Sequence, residues 1–259
     1  MKEETYLVIA NKHMNKKYYM LKIKAPYISG NAKPGNFVML KPSYGTTMID
    51  PLLKRPFGIY YAKPPFIWIY YEVVGRGTEL MAKLKENDNV QTLGPLGNCF
   101  PTMVGKNILM IAGGRGIAPI HYALHDYIPA NNVYLLYGAR SASDLNLVEE
   151  LKALNMKKMF LYTDDGSAYQ KGFITTDVRQ IIAEYNIEVT FSCGPHAMLE
   201  CLSSEIAGME TENYISLEAR MGCGFGICHS CAVKTKSDEY KKVCSDGPVF
   251  KMEDIAWEA

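Results

Sequence analysis

The sequence GCGFGICHSC occupies residues 222–231 and contains three of the seven cysteines of this 259-residue chain. Cys223, Cys228 and Cys231 have the spacing C-x4-C-x2-C, and Cys244 follows after twelve intervening residues. This is the plant-type spacing of a [2Fe-2S] cluster, in which four thiolates hold two irons. The interleaved glycines suit backbone N–H groups that face the bridging sulfides and stabilise their negative charge. The segment therefore predicts a centre that transfers single electrons.

A structural zinc site is the alternative interpretation of these cysteines. Zinc sites usually combine two C-x2-C pairs or mix cysteine with histidine. Here only one C-x2-C pair occurs, and His229 stands between two candidate ligands, where it is poorly placed to join them. The spacing favours iron and sulfur over zinc.

The composition is that of an ordinary globular protein. Hydrophobic residues make up 48% of the chain, charged residues 21%, and the net charge is +1. This balance gives no broad field that would attract nucleic acid or an anionic membrane. No apolar run approaches the roughly 18 residues of a membrane span, and the acidic N-terminus does not resemble a signal peptide. We therefore expect a cytoplasmic protein whose thiols are free or bound to metal.

Residues 1–101 predict an antiparallel β-barrel. Six short β-rich runs, separated by glycine and proline, are typical of this architecture. One helix is expected over residues 78–85, with Thr78 as its N-terminal cap. The expected strands are residues 5–10, 18–23, 36–40, 57–61, 66–74 and 89–93.

Residues 102–212 alternate between strand and helix patterns, which predicts βαβ units on a parallel sheet. The first strand, residues 108–112, is wholly apolar and suits burial on both faces. Further strands are expected at residues 133–137, 159–162 and 189–193, and helices at 117–127, 144–154, 176–185 and 197–206. Residues 213–259 are too few to build a core, so a metal centre is expected to organise them.

Two motifs in the barrel suit a diphosphate. Arg55 precedes the rigid Pro56, an arrangement that can hold a guanidinium against phosphate oxygens. Gly77 and Thr78 end a strand where a helix begins, and the free N–H groups of a helix start favour anions. An exposed charge and an ordinary capped turn are the alternatives, and the two motifs together favour the phosphate site.

Two motifs in the α/β region suit a dinucleotide. The sequence GGRGIAP at residues 113–119 directly follows the buried strand and lacks the last glycine of a strict GxGxxG pattern. Cys193 and Gly194 end another strand, and open parallel sheets bind ligands at the carboxyl ends of their strands. The alternative for Cys193 is a small buried residue that only packs.

Taken in order, these motifs and the sequence GPLG at residues 94–97 resemble the ferredoxin–NAD(P) reductase superfamily. The sequences SLEARMGCGFGIC at residues 216–228 and VCSDGPVF at residues 243–250 are especially similar to the electron-transfer subunits of type B dihydroorotate dehydrogenases. The resemblance covers essentially the whole chain. It implies an FAD-binding barrel (residues 1–101), an NAD-binding α/β domain (102–212) and a [2Fe-2S] domain (213–259).

The resemblance also implies site residues and a partner. The implied FAD contacts are Arg55, Pro56, Phe57, Gly58, Tyr70, Tyr71, Glu72, Gly77 and Thr78; the expected dinucleotide contacts are Gly114, Gly116, Cys193 and Gly194; the implied cluster ligands are Cys223, Cys228, Cys231 and Cys244. The implied partner is an FMN-containing catalytic subunit that oxidises dihydroorotate in pyrimidine biosynthesis, in a heterotetramer of two plus two subunits. Electrons would pass from FMN through the cluster and FAD to NAD+. No acid or base is obligatory for this transfer, and we name no catalytic residue.

Three residues depart from the family pattern. Gly58 stands where the family usually has Ser or Thr, Glu72 where a basic residue is frequent, and Arg115 in a loop that usually carries glycine. Arg115 would either crowd the dinucleotide or attract a phosphate.

Other functions stay open at this point. One is a subunit of a ferredoxin-dependent NAD(P)H oxidoreductase or sulfide dehydrogenase, although related bifurcating subunits often have Asp at one ligand position, where this chain has Cys223. Another is a non-enzymatic zinc or redox-sensing module. The preference between NAD and NADP is also open.

Overall fold

The first part of the chain forms a curled antiparallel sheet. The computed structural model describes residues 1–43 and 51–257. Seven strands lie in the order β4-β3-β7-β1-β2-β6-β5, and β4 returns to contact β6, so the sheet curls into a half-barrel. The strands are β1 (Lys2–Asn15), β2 (Tyr18–Lys24), β3 (Phe37–Ser43), β4 (Arg55–Gly58), β5 (Tyr61–Lys63), β6 (Phe66–Glu72) and β7 (Asn89–Leu96). Alternating apolar side chains such as Leu21, Ile23 and Ile69 fill its interior. Two short helices, α1 (Pro26–Asn31) and α2 (Arg76–Ala82), accompany it.

The second part is a parallel sheet with helices. Its strands are β8 (Asn107–Gly113), β9 (Asn132–Ala139), β10 (Lys158–Thr163), β11 (Gln170–Lys171), β12 (Val189–Cys193) and β13 (Glu212–Ser216), in the order β11-β10-β9-β8-β12-β13. Its helices are α3 (Ile117–Tyr127), α4 (Val148–Lys152), α5 (Val178–Glu184) and α6 (His196–Glu205). The strand order reverses between β8 and β12, so their carboxyl ends form the switch point where such sheets bind ligands.

The last part of the chain leaves this sheet and returns to it. It contains the hairpin of β14 (Ala232–Lys234) and β15 (Tyr240–Lys242), followed by β16 (Val249–Lys251). β16 pairs antiparallel with β13, with Ser216 opposite Val249. The side chain of Asn98, just beyond β7, donates to the Val249 carbonyl at 2.8 Å and accepts from the Val249 N–H at 2.9 Å. The cysteine segment is therefore attached to both larger parts.

The predicted fold class, a β-barrel beside an α/β sheet with a small C-terminal iron–sulfur segment, is confirmed, with the barrel seen as a curled half-barrel. Several predicted elements differ in extent. The strand expected at residues 57–61 is split between β4 and β5. α4 is much shorter than the expected helix 144–154, because Leu147 has a left-handed backbone with φ 70°. The expected cap is wrong: Gly75 caps α2, and Thr78 lies in its first turn.

A buried histidine joins the half-barrel to the α/β part. His121 on α3 is 1% exposed, and its ring stacks on that of Tyr60 at 3.8 Å between centroids. The Tyr60 hydroxyl donates to Glu150 Oε1 at 2.9 Å, and His121 Nε2 lies 3.3 Å from the same oxygen. His125 follows one turn later, with its ring 4.7 Å from that of His121. Burial, with a smaller contribution from His121, lowers the pKa of His125, whereas the His121 hydrogen bond lowers the pKa of Glu150.

We expect acid to destabilise this junction. Because the pKa of His125 is lower in the folded protein, the unfolded chain binds its proton first, and the stabilisation present above about pH 6.5 is lost as pH falls. Urea unfolding at about pH 7.5 and about pH 5.5 should show this loss, and His125→Gln should reduce it, by at most about 1.4 kcal/mol per pH unit. His13→Gln is the matched control, because it removes a histidine at an exposed position of β1. An unchanged pH dependence in His125→Gln would contradict the assignment.

Candidate functional site

A cavity of about 990 Å³ opens where the half-barrel, the α/β part and the cysteine segment meet. Every barrel residue expected to contact FAD lines it: Arg55, Pro56, Phe57, Gly58, Tyr70, Tyr71, Glu72, Gly77 and Thr78. The opposite wall includes Pro119 and Cys193 from the α/β part. Residues 217–221, which lead to the first cysteine, and Pro248 complete the lining.

Arg55 and Gly77 lie together at one end of the cavity. A Cβ atom on Gly77 would come within 3.3 Å of Arg55 Cγ and Nε, so the arginine side chain lies directly over this glycine. Arg55 Nη1 donates to the Leu53 carbonyl at 2.8 Å, which holds the guanidinium in place. Two motifs that are separate in sequence thus place a fork of N–H donors beside the start of α2, an arrangement suited to a diphosphate.

The Thr78 hydroxyl is used within the protein. It accepts from the Val74 N–H at 2.9 Å and the Gly75 N–H at 3.2 Å, and it donates to the Gly75 carbonyl at 2.9 Å. These bonds fix the turn between β6 and α2. Thr78 therefore shapes the cavity wall and has no hydroxyl proton left for a ligand.

Two of the three expected contacts on β6 are tyrosines. Tyr70 and Tyr71 are both buried, with their side chains on opposite faces of the strand. Asn146 donates to the Tyr70 hydroxyl at 2.9 Å, and the Tyr71 hydroxyl donates to Asn11 Oδ1 at 3.1 Å. Both tyrosines thus build the wall, with their hydroxyls directed into the protein.

Glu72 carries the charge of this wall. Its side chain is 11% exposed and forms ion pairs with Lys17 and with Arg115, whose Nη1 lies 3.0 Å from Glu72 Oε2. Arg115, singled out in the sequence because it replaces a glycine, therefore extends from the α/β part to the half-barrel.

Strand β4 presents an edge to the cavity. Within residues 1–43 and 51–257, its ladder partner is β3 alone. A Cβ atom on Gly58 would meet Pro119 Cδ at 3.5 Å, an ordinary contact. Packing therefore does not require glycine at this position. The missing side chain of Gly58 leaves space beside Pro119.

Of the four expected dinucleotide contacts, Cys193 lines the cavity and the three glycines do not. A Cβ atom on Gly116 would lie 2.0 Å from the Cys193 carbonyl oxygen, and one on Gly194 would lie 2.5 Å from Met198 Cε. These two glycines are thus explained by close packing of the loop on β12 and α6. Gly114 has φ +52° and open space around it.

Cys193 is almost fully buried at the end of β12. Burial raises the pKa of its thiol above the ordinary range, and a hydrogen bond with Ser216 opposes this rise only in part. Ser216 is its neighbour across the β12–β13 ladder. The cavity therefore has a neutral thiol at its α/β wall.

The four motif cysteines form two pairs. The Cys223 N–H donates to Cys228 Sγ at 3.4 Å, and the Cys228 N–H donates to Cys223 Sγ at 3.5 Å. Cys231 and Cys244 are each 2% exposed, and their thiols are hydrogen-bonded. In the described residues no three potential ligands converge on one ion. Four thiols are the ligand number of a [2Fe-2S] cluster, in which four thiolates hold two irons.

Backbone donors surround these sulfurs. Burial acts to raise the pKa of Cys223, but N–H groups of Phe225, Cys228 and Ile227 outweigh it and lower the pKa. Hydrogen bonds from Ser230 lower the pKa of Cys228 to about 6. Such donors stabilise thiolates, the form that binds metal. In the second pair, burial raises the pKa of Cys244 to about 12, so a metal there would have to displace the proton.

The cysteine loop lies directly on the half-barrel. Gly224 has φ +84°, and a Cβ atom on it would come 2.6 Å from Met39 Cγ on β3. A Cβ atom on Gly97 would likewise come 2.4 Å from Pro248 Cδ. Glycine at these two positions allows the loop to approach the half-barrel closely, next to the cavity.

Comparisons with known proteins agree with this architecture. Residues 218–256 match the family described as the iron-sulfur cluster binding domain of dihydroorotate dehydrogenase B, and residues 110–204 match the oxidoreductase NAD-binding domain. The chain is 36% identical over 256 residues to the dihydroorotate dehydrogenase B (NAD(+)) electron transfer subunit homolog of Aquifex aeolicus, with 96% of each chain covered. It is 35% identical over 266 residues to the corresponding electron transfer subunit of Bacillus velezensis, covering 99% of this chain and 100% of that one. The chain belongs to the dihydroorotate dehydrogenase B electron transfer subunit family.

Solved structures have the same fold. The structure of an NADH-dependent reduced ferredoxin-NADP oxidoreductase, described for flavin-based electron bifurcation, is 26% identical with a TM-score of 0.84, covering 97% of this chain and 90% of that one. A ferredoxin NADP+ reductase from Neisseria gonorrhoeae with bound FAD and NADP is 19% identical with a TM-score of 0.66, covering 81% and 92%. No helix in the described part of the chain has the length and apolar character needed to cross a bilayer.

Sequence reasoning missed part of the lining. It assigned no contact to Leu53, Arg76 or Pro119, nor to residues 217–221 before the first cysteine. Pro119 had a signal, because it lies in the GGRGIAP motif directly after the buried strand. Residues 217–221 had none, since their place in the wall depends on the pairing of β13 with β16 far along the chain.

We expect Arg55→Gln to weaken FAD binding, because it removes the positive fork while Gly77 and the turn remain. The loss of a charged hydrogen bond predicts about 10- to 100-fold weaker binding, and Arg55→Lys should be intermediate, because lysine keeps the charge and loses the fork. Fluorescence titration of the flavin-depleted protein measures the affinity. Lys54→Gln is the matched control, since the neighbouring Lys54 pairs with Glu3 at 2.7 Å. Equal flavin affinity in Arg55→Gln and Lys54→Gln would contradict the assignment.

Proposed function

We propose that this chain is the electron-transfer subunit of an NAD-linked dihydroorotate dehydrogenase. It would pass electrons from the FMN of a catalytic partner through a [2Fe-2S] cluster and FAD to NAD+, in pyrimidine biosynthesis. Full-length similarity to subunits that carry this name supports the proposal, as does the match of residues 218–256 to the iron–sulfur family.

The observation that carries the proposal is the meeting of three walls at one cavity. The edge of β4 with Arg55, the end of β12 with Cys193, and the segment leading to the cysteines all border the same space. NAD+ accepts two electrons as hydride, a cluster transfers one, and a flavin between them supplies the conversion. The chain's own task is to keep three binding places adjacent and in this order.

The residues at the junction serve binding and orientation. Arg55 and the turn fixed by Thr78 would hold the flavin diphosphate, while β4 and β6 form the wall for its ring system. The Cys193 thiol stays protonated at neutral pH because burial raises its pKa, so it would offer a small neutral surface to a nicotinamide ring bound in the cavity. Tyr70 and Tyr71 on β6 are buried, so they would make this part of the wall poorly accessible to water.

We also propose the FMN-containing catalytic subunit as partner, in a heterotetramer of two plus two, and a cytoplasmic location. The name of the family, an electron transfer subunit, supports a partner that supplies the electrons. The cysteine loop is the proposed contact, because Ile227 between two of the cysteines is 72% exposed and Phe225 is also exposed. Apolar side chains beside a redox centre suit a protein surface that closes over it.

A second candidate is a subunit that exchanges electrons with ferredoxin. It rests on one observation, the 26% identical ferredoxin-NADP oxidoreductase that shares nearly the whole fold.

Anaerobic absorption spectra with each reductant distinguish the two. NADH should bleach the visible bands of the isolated chain, and dihydroorotate should bleach them only when the catalytic subunit is present. In Cys231→Ser, NADH should still bleach the flavin. Dihydroorotate and the partner should no longer do so, because the loss of one cluster ligand interrupts the electron path from the partner to the flavin. A chain that dihydroorotate and the partner leave oxidised, but that reduced ferredoxin bleaches, would support the second candidate instead.

A further inference from the structure

Arg115 connects the three walls of the cavity. It lies in the loop between β8 and α3, and its Nη1 is 3.0 Å from Glu72 Oε2 on β6. Its Nη2 lies 3.9 Å from Glu218 Oε2, on the segment that leads to the cysteines. One guanidinium therefore faces carboxylates from the half-barrel and from the cysteine segment while belonging to the α/β part.

Local stability does not explain this arginine. It lies two residues before Ile117, the first residue of α3, and the helix dipole disfavours a positive charge near that end. Glu72 does not depend on it either, because Lys17 already pairs with that carboxylate from the turn between β1 and β2. Arg115 is thus a second cation at a carboxylate that already has one.

The loop is held in place, whereas the side chain has room to move. The backbone of Gly116 packs so closely on β12 that a Cβ atom would lie 2.0 Å from the Cys193 carbonyl oxygen, which leaves the loop no room to move toward β12. The Arg115 side chain is 42% exposed, and its distance of 3.9 Å to Glu218 is long for an ion pair. A change of rotamer would release both carboxylates without moving the loop.

Arg115 lines the same cavity as Glu72 and Cys193. It stands at the switch point between the carboxyl ends of β8 and β12, where open α/β sheets bind their ligands. Its ion pair with Glu72 bridges this loop to β6, so a nicotinamide ring placed between Cys193 and the β4–β6 wall would lie in the cavity that Arg115 also lines. The dinucleotide's diphosphate can accept two parallel hydrogen bonds from a guanidinium, a stronger contact than the longer of its two present pairs.

We propose that Arg115 is a charge-exchange residue for the nicotinamide dinucleotide. Without nucleotide it bridges Glu72 and Glu218, and on binding it leaves both carboxylates and pairs with the diphosphate. The two carboxylates thus compete with the nucleotide, and binding releases a link between the half-barrel and the cysteine segment. The inference rests on the proposed function, since it needs a dinucleotide at this cavity.

The test is calorimetric titration of NAD+ into the oxidised full chain with its flavin and iron content measured. Arg115→Gln should weaken binding about tenfold, the size expected for one charged hydrogen bond, and should flatten the dependence of affinity on salt. Glu72→Gln and Glu218→Gln should tighten binding about two- to fivefold, because each removes a competitor. Arg115→Lys should fall between wild type and Arg115→Gln.

Lys17→Gln is the matched control, because it removes a cation from the same Glu72 carboxylate at the barrel turn, and it should leave the affinity within about twofold. Arg115→Gln with wild-type affinity would overturn the inference, and so would weaker binding in both carboxylate variants. If Glu72→Gln loses flavin, Glu218→Gln still decides, since Glu218 is more exposed and pairs only loosely. A wild-type chain that holds flavin but binds neither NAD+ nor NADH would overturn the proposed function itself.

Discussion

The pairing of β13 with β16 is the constraint on which the candidate site depends. Ser216 and Val249 lie opposite each other in this ladder, and the Leu217 N–H donates to the Pro248 carbonyl at 2.9 Å. The whole cysteine segment is therefore an excursion from one sheet edge, with both of its ends fixed. A segment too small for a core of its own obtains its position from the neighbouring sheet, and Asn98 attaches the same point to the half-barrel.

This attachment explains why the half-barrel, the α/β part and the cysteine segment all border one cavity, as the proposed function requires. The segment leaves β13 beside Cys193, passes along the cavity as residues 217–221, and reaches the cysteines where Gly224 rests on Met39. Electron transfer requires centres that are close and fixed in order, and no side chain has to act as an acid or base. Rigid packing at glycines is therefore the main contribution of the chain, and the ion pairs of Arg115 are the part of the junction with freedom to rearrange.

Local sequence patterns predicted much of the fold and of the candidate site. The features that these patterns missed depend on contacts between distant residues. The cysteine spacing indicated an iron–sulfur centre, and the apolar run at residues 108–112 predicted a strand that is indeed buried as β8. Arg55 and Gly77 were expected to serve one phosphate site, and only the folded sheet shows that the arginine side chain covers the glycine. α4 is shorter than expected because Leu147 has a left-handed backbone, a conformation that is not expected for leucine. The β13–β16 pairing and the His121 contact with Tyr60 join distant residues, so no pattern in either segment reveals them.

We propose that the four sulfurs hold two irons beside a flavin in the adjoining cavity. The most direct measurement is a chemical analysis of iron, acid-labile sulfide, zinc and flavin in the anaerobically purified protein. We expect about two irons and about two sulfides per chain, together with about one FAD and no zinc. A colourless protein with stoichiometric zinc, or one with iron and sulfide but without flavin, would contradict this assignment.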